Sequence, residues 1–349
     1  MRMNGPRGEG PEHSCGSALH FHNAGTMIPI QSSELRACDP LSDMLALLDV
    51  RSFLSRRIEA SGPWALRFPA YRHMKFGGVI EGTRWLWTES GAGMLELEAG
   101  DFYLLTDGGP YCFASDRDAV PMDGLGVMDR HLQADGVVRF GSGAPRSVGV
   151  GGRFVLDDET SGLLLSMLPP LLHIRGSDPQ AGALRAALAL ITHETETRRP
   201  GTAAIGSGIC AIILVNILRL HLAGGERPSG WLGALNDRRV GAAIRAMHCD
   251  LARRWRVAEL AAAVGMSRTA FADRFRRLVG LAPLEYLIHW RMMKAREALK
   301  RERAPLADIA AAIGYESETA FSLAFKRKFG ESPGRYRKRQ QQVVAPQVD

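Results

Sequence analysis

The strongest constraint on this chain is a repeat in its last third. Residues 257–286, VAELAAAVGMSRTAFADRFRRLVGLAPLEY, are echoed by residues 306–336, LADIAAAIGYESETAFSLAFKRKFGESPGRY. Leu260, Val264 and Gly265 correspond to Ile309, Ile313 and Gly314 at a spacing of 49 residues. After one inserted residue, Phe271, Phe275, Gly280, Pro283 and Tyr286 correspond to Phe321, Phe325, Gly330, Pro333 and Tyr336 at a spacing of 50. Two copies are too few to stack into a solenoid, which leaves a duplicated module.

Each copy reads as a helix-turn-helix. A short Ala-rich helix ends at Gly265 or Gly314, where a residue that tolerates positive φ lets the chain turn sharply. Ser267 and Ser317 then stand at the N-cap of a second helix, able to accept hydrogen bonds from its exposed backbone N–H groups. Phe271 and Phe275, like Phe321 and Phe325, are four apart and face one small core. Gly280 and Gly330 close these helices, and a proline three residues on stops their continuation. The face left over carries the candidate contact residues. They are Ser267, Arg268, Thr269, Ala272, Asp273 and Arg276 in the first copy, and Ser317, Glu318, Thr319, Ser322, Leu323 and Lys326 in the second. The plainer alternative is a pair of surface helices in an ordinary bundle. Between the copies, roughly Leu284–Arg303 has no helix breaker. A helix of about 18 residues spans about 27 Å, near the roughly 34 Å of one DNA turn, so it could set both recognition helices into successive major-groove segments.

Charge follows the same division. From Trp231 to the C-terminus there are 23 Lys+Arg and 12 Asp+Glu, a net of +11; the preceding 230 residues hold 21 and 25, a net of −4. A basic segment joined to a mildly acidic one suggests a polyanion-binding module attached to a partner domain with another task.

Residues 237–337, with RMMKAREAL on the intervening helix and IAAAIGYESETAFSLAFKRKFGESPGRYR at the end, resemble the AraC-type regulators. The resemblance implies a transcription regulator, activator or repressor, that binds double-stranded operator DNA through the faces named above and meets RNA polymerase there. Asp273 and Leu323 depart from the basic or polar residues frequent at these spots, so base preference does not carry over.

The front reads differently. Residues 1–40 are rich in Gly, Pro, Ser and His without periodicity and predict a disordered arm. Residues 41–154 carry short apolar runs separated by turns (ALRF, FGGVI, TRWLWTE), as in an antiparallel barrel or sandwich. Residues 155–224 are apolar at helical spacing, in LLLSMLPPLL, LRAALALITHE and ICAIILVNILRLHL, and predict a helical segment for packing or for pairing two subunits. Residues 225–236 predict a linker, and 237–340 the double helix-turn-helix domain. The expected class is thus α+β: a β-barrel with a helical extension, then an all-α domain. PLSDMLALLDVRSFLSRRIEASGPWALRFP and LEAGDFYLLTDGGPY, with Gly100 and Asp101 turning into a strand, resemble a cupin-like sensor. That implies a small-molecule effector and a homodimer.

The competing reading is a non-metal cupin enzyme with a DNA-binding appendage. A metal cupin needs two or three histidines and a carboxylate converging on one point. Here His73 is followed by Met74 and Lys75, and Tyr111 occupies the histidine position of the second motif. No metal or other cofactor is expected. His73, Trp85, Trp87 and Tyr111 are candidates for lining a small-molecule pocket, although aromatics at strand spacing are more often plain core. The Gly-rich runs 141–152 and 201–208 lack the context of a phosphate loop and read as plain loops. Five scattered cysteines (Cys15, Cys38, Cys112, Cys210, Cys249) predict no disulfide framework and fit a reducing cytoplasm. The longest apolar stretch, Cys210–Leu218, reads as a buried helix too short to span a bilayer.

Overall fold

The computed structural model describes residues 38–344, apart from 73, 92, 145, 158–160, 162–164, 166, 167, 198, 225–229 and 302. His73, nearly all of the expected arm and much of the expected linker lie outside the described residues.

Helix α1 (Pro40–Leu47) opens the fold. The Asp39 carboxylate caps it by accepting from the Leu41 N–H at 3.1 Å, and Pro40 stands in the first turn, where its missing N–H costs nothing. Twelve strands follow among the described residues: β1 (Arg51–Leu54), β2 (Ile58–Ser61), β3 (Ala65–Phe68), β4 (Met74–Glu81), β5 (Arg84–Thr88), β6 (Met94–Leu97), β7 (Phe102–Leu105), β8 (Tyr111–Ala114), β9 (Met122–Asp123), β10 (Val138–Gly141), β11 (Arg146–Val155) and β12 (Leu171–Ile174), with α2 (Gly124–Arg130) between β9 and β10. One sheet runs β10-β2-β11-β4-β7-β12 with β1 also on β11, and the other runs β6-β5-β8-β3-β9. The antiparallel pairs β4–β7 and β5–β8 skip their chain neighbours, the mark of a jelly roll. The expected antiparallel barrel or sandwich is thus a jelly roll of two sheets. Side chains alternate across it: Lys75, Gly77 and Val79 of β4 face the second sheet, whereas Met74 and Phe76 face outward onto helices.

Helices α3 (Gly182–Thr197) and α4 (Thr202–Ala223) cover that outward face. At 22 residues, α4 is long and apolar enough to cross a bilayer, beyond the expected nine-residue stretch. One side of it is nonetheless core, with Ile209, Cys210, Ile213, Leu214, Ile217 and Leu218 buried. Most of both Gly-rich runs expected to be loops is regular structure, with 142–144 and 201 irregular. Residues 146–155 form the longest strand, in mid-sheet, because its glycines admit close neighbours: a Cβ on Gly152 would lie 2.4 Å from the Phe76 ring. Residues 202–208 begin α4, and Gly206 faces Leu54 there. Strand β12 falls in the block expected to be helical. Pro169 and Pro170 exclude helix there, and pairing with β7 satisfies the backbone instead.

The cysteine expectation is corrected too. Cys38, just before α1, is disulfide-bonded to Cys249 across a Cα–Cα distance of 5.3 Å. The partners are 211 residues apart, a proximity no spacing pattern reveals. Cys112 and Cys210 are free and buried, and burial pushes the Cys210 thiol up to about 12.

Among the described residues, eight further helices follow: α5 (Gly230–Ala234), α6 (Arg238–Cys249), α7 (Val257–Ala263), α8 (Arg268–Val279), α9 (Pro283–Arg301), α10 (Leu306–Ala312), α11 (Glu318–Phe329) and α12 (Pro333–Val344). One continuous core joins α5–α9 to the front, running from Leu41 and Phe154 through Ile244 to Phe275 and Trp290. A hydrogen-bond chain reinforces this junction. The Trp231 indole N–H donates to the Tyr286 hydroxyl, which lies 2.7 Å from His248 Nε2, and His248 Nδ1 lies 3.1 Å from the Asp43 carboxylate of α1. The consistent assignment has Tyr286 donating to Nε2 and Nδ1–H donating to Asp43. Around it, the His248 and Trp290 rings stack at 4.2 Å. Asp157 pairs with Arg296 and Lys300, and Asp49 with Arg301, so acidic groups of the front half meet the basic end of α9.

Burial holds the His248 imidazole below its ordinary pKa despite Asp43. Burial, with Lys328 and Arg296 nearby, lowers His289 to about 4. The unfolded chain therefore binds more protons than the folded one, and stability present above pH 6.5 is lost as pH falls from there toward 4. Calorimetric Tm of the full-length protein should fall by several degrees between pH 7 and pH 5. A Tm constant over that interval would show that these imidazoles are not held neutral.

Candidate nucleic-acid interface

The two helix-turn-helix units repeat each other in geometry as well as in sequence. Ser267 Oγ accepts from the Ala270 N–H at 3.3 Å, and Ser317 Oγ from the Ala320 N–H at 3.1 Å. Gly265 and Gly314 make the turns at φ of +64° and +80°, a region in which a β-carbon is strained. Gly280 and Gly330 end the recognition helices α8 and α11 at +84° and +79°. The ring pairs Phe271–Phe275 and Phe321–Phe325 both stand 5.7 Å apart, and each is closed by the equivalent tyrosine, Tyr286 at 5.7 Å and Tyr336 at 5.6 Å. These aromatics are buried, so the opposite side of each helix turns outward.

That side carries the residues expected from the sequence. Ser267, Arg268, Thr269, Asp273 and Arg276 are exposed and Ala272 half-buried; Ser317, Glu318, Thr319, Leu323 and Lys326 are exposed and Ser322 half-buried. Leu323 is 63% exposed, a large apolar side chain with no packing role in the folded monomer. Asp273 forms no ion pair or hydrogen bond among the described residues, so Arg276 and Arg277 do not occupy it. The neighbouring cation that is paired is Arg274, whose Nε donates to Asp237 at 3.0 Å and so ties α8 to the N-terminus of α6. Sequence reasoning did not single out Arg277 and Arg327, which are exposed beside Arg276 and Lys326. Their adjacency to Arg276 and Lys326 in the last helical turn was the available signal.

Helix α9 sets the two units in place. Its 19 residues span about 28 Å at 1.5 Å each. Tyr286, Leu287, Trp290 and Met293 belong to the first core, and Met292, Ala295 and Leu299 to the second. Arg291 fastens the helix further, donating from Nε to the Leu251 carbonyl at 2.9 Å and from Nη2 to the Arg253 carbonyl at 2.8 Å. Arg254 and Glu316 form an ion pair between the first and second units, and Lys328 at the end of α11 lies 3.1 Å from His289 Nδ1 of α9.

The expected pocket of the front half is only partly assembled. Tyr111 faces the interior of the sandwich, where Lys75 Nζ donates to its hydroxyl at 2.8 Å. Trp85 and Trp87 do not join it. On β5 the buried positions are Arg84, Leu86 and Thr88, so the half-buried indoles occupy the outer side. The Arg117 guanidinium covers the Trp85 ring at 4.2 Å. The strand period placed both tryptophans on one side, but the inner side went to the alternate residues because Leu86 pairs with Phe113 in the core.

A jelly-roll domain fused to two basic helix-turn-helix units on a shared helix defines a class of transcription regulator. Residues 39–223 match the Cupin family, and residues 260–339 match the Helix-turn-helix domain family. The chain is 41% identical over 301 residues to an AraC-like transcription regulator of Streptomyces lividans, covering 86% of this chain and 98% of that one. It is 40% identical over 301 residues to a counterpart in Streptomyces antibioticus, with the same coverage. Among solved structures, the DNA-binding domain of AdpA in complex with a target DNA is 32% identical, covering 30% of this chain and 94% of that one at a TM-score of 0.29. The chain belongs to the AraC-like transcription regulators.

A carboxylate at Asp273 repels phosphate but can accept from a base-edge donor such as the cytosine amino group, a contact worth about 1–3 kcal/mol of discrimination. Lys326 can anchor a phosphate, which positions without specifying. Selection of bound sequences from a random duplex pool should show Asp273→Ala relaxing one base pair of the consensus. Lys326→Ala should leave the consensus intact and weaken all sequences alike. An unchanged consensus for Asp273→Ala would remove the carboxylate from base reading.

Proposed function

We propose that the protein is a one-component regulator whose front domain senses a small molecule and whose two recognition helices hold operator DNA. The observation that carries this reading is the pair of largely exposed recognition faces, mounted on one helix. The domain limits proposed are residues 41–154 for the sensor, 155–224 for the helical segment with β12 inside it, and 237–340 for the DNA-binding part. Because α5 and α6 share the core of α1 and α9, residues 230–236 act as a structural joint instead of a free tether.

A homodimer is supported by the uncovered side of α3 and α4, where Leu190 is 52% exposed and Ile205 and Ile212 are each 47% exposed. Apolar side chains in such a stripe suit pairing with a second copy. The protein acts in the cytoplasm, where its DNA and RNA polymerase are, and the front domain has a sensing and pairing role, not a catalytic one.

Binding of the full-length protein to duplex DNA should weaken steeply with salt, because each phosphate neutralised releases counterions and adds about −0.9 to the log–log slope. With the free cations of α8 and α11 engaged, a slope of roughly −4 or steeper is expected in a fluorescence-anisotropy titration. A flat response between low and physiological ionic strength would sink the reading.

A further inference from the structure

The interior of the jelly roll holds two cations, and neither is paired with a carboxylate among the described residues. Arg84, the first residue of β5, points between the sheets and is 6% exposed. Its Nε donates to Ser147 Oγ at 3.2 Å. Its guanidinium lies over Gly149, where a Cβ would come within 2.4 Å of Nη1, so the strand opposite has been left bare to receive it. The guanidinium carbon stands 5.9 Å from the centre of the Trp64 ring. Arg84 Nη2 and Trp64 Nε1 are both buried and have no hydrogen-bond partner among the described residues. Each is a donor only, so neither can satisfy the other; an acceptor is what both lack.

Burial pulls Arg84 down to about 10, with only the Tyr103 phenol acting in the other direction, so it remains a cation at neutral pH. The second cation is Lys75, one inward position before Gly77 on β4. It is held by the Tyr111 hydroxyl and the faces of Phe68, Tyr71 and Tyr111. Between the two lie Tyr103 and Phe113, with ring centres 5.3 Å apart. Buried charges are ordinarily paired, and an arginine is kept unpaired in a protein interior only at a cost that a counter-ion removes.

We propose that the interior of the jelly roll binds a small organic carboxylate, received by Arg84 Nη2 and Trp64 Nε1 and walled by Tyr103 and Phe113. The planar guanidinium favours the planar carboxylate, and the aromatic and aliphatic walls favour an organic body over a hydrated inorganic ion. This assignment rests on the front domain being a sensor and gives that sensor its ligand class. It also moves the site from the outward indoles of Trp85 and Trp87 to the inner side of the same strand.

The test uses the full-length protein in Tris chloride buffer, with Tm and tryptophan fluorescence followed during titration with acetate, octanoate and benzoate. Benzamide and sodium nitrate at matched ionic strength serve as controls. At least one carboxylate should raise Tm and change the fluorescence saturably, with benzamide and nitrate inert. Arg84→Met should abolish the response and, having exchanged an unpaired charge for an apolar side chain, melt no lower than the parent in carboxylate-free buffer. Trp64→Phe keeps an aromatic side chain but loses the indole N–H, and should weaken the carboxylate several-fold; it serves if Arg84→Met does not fold. No response to any carboxylate, an equal response to benzamide or nitrate, or a Trp64→Phe or Arg84→Met protein that responds like the parent would overturn the assignment. DNA binding measured on the same samples separates the two readings. Intact DNA binding without a carboxylate response strikes the ligand class alone, whereas absent DNA binding strikes the regulator itself.

Discussion

Everything the rear of this protein does depends on one helix completing two cores at once. A helix-turn-helix of some thirty residues buries too little apolar surface to stand alone. Here each unit closes on α9, the first through Tyr286, Leu287, Trp290 and Met293, the second through Met292, Ala295 and Leu299. The recognition helices are therefore set by packing, not by tethers. Tyr286 and Tyr336 show how the duplication works: each occupies the start of the helix that follows its module and packs an edge against the second phenylalanine of the pair.

The same helix is also the one the front domain holds. Asp43 reaches His248, and through it Tyr286 and Trp231, while Asp157 and Asp49 hold the far end through Arg296, Lys300 and Arg301. A change inside the jelly roll that shifted α1 or the end of β11 would act on α9 directly. The Cys38–Cys249 disulfide staples the start of α1 to the end of α6 at this same junction.

The rear domain was legible in the sequence because its signals are local. Glycine turns, serine caps and aromatic pairs at spacing four each constrain the backbone within a few residues, and duplication states them twice. The front was legible only in outline. The alternation of β5 showed that Trp85 and Trp87 share a side but not that Leu86 would claim the inside, since that depends on Phe113 of a strand pairing across the sheet. Strand β11 hid behind its glycines, which signal a turn locally but here make room for Phe76. The disulfide and the docking of α1 on α6 join residues more than 200 positions apart, and no periodicity records such a meeting.

The central claim is that two recognition helices fixed on one helix of about 28 Å engage DNA together. Hydroxyl-radical footprinting of the full-length protein on a selected site tests it most directly. The account requires two protected patches on one face of the duplex, about one helical turn apart, with the patch belonging to α11 lost in a Leu323→Asp, Lys326→Glu double variant. A single protected patch, unaltered by that variant, would contradict it.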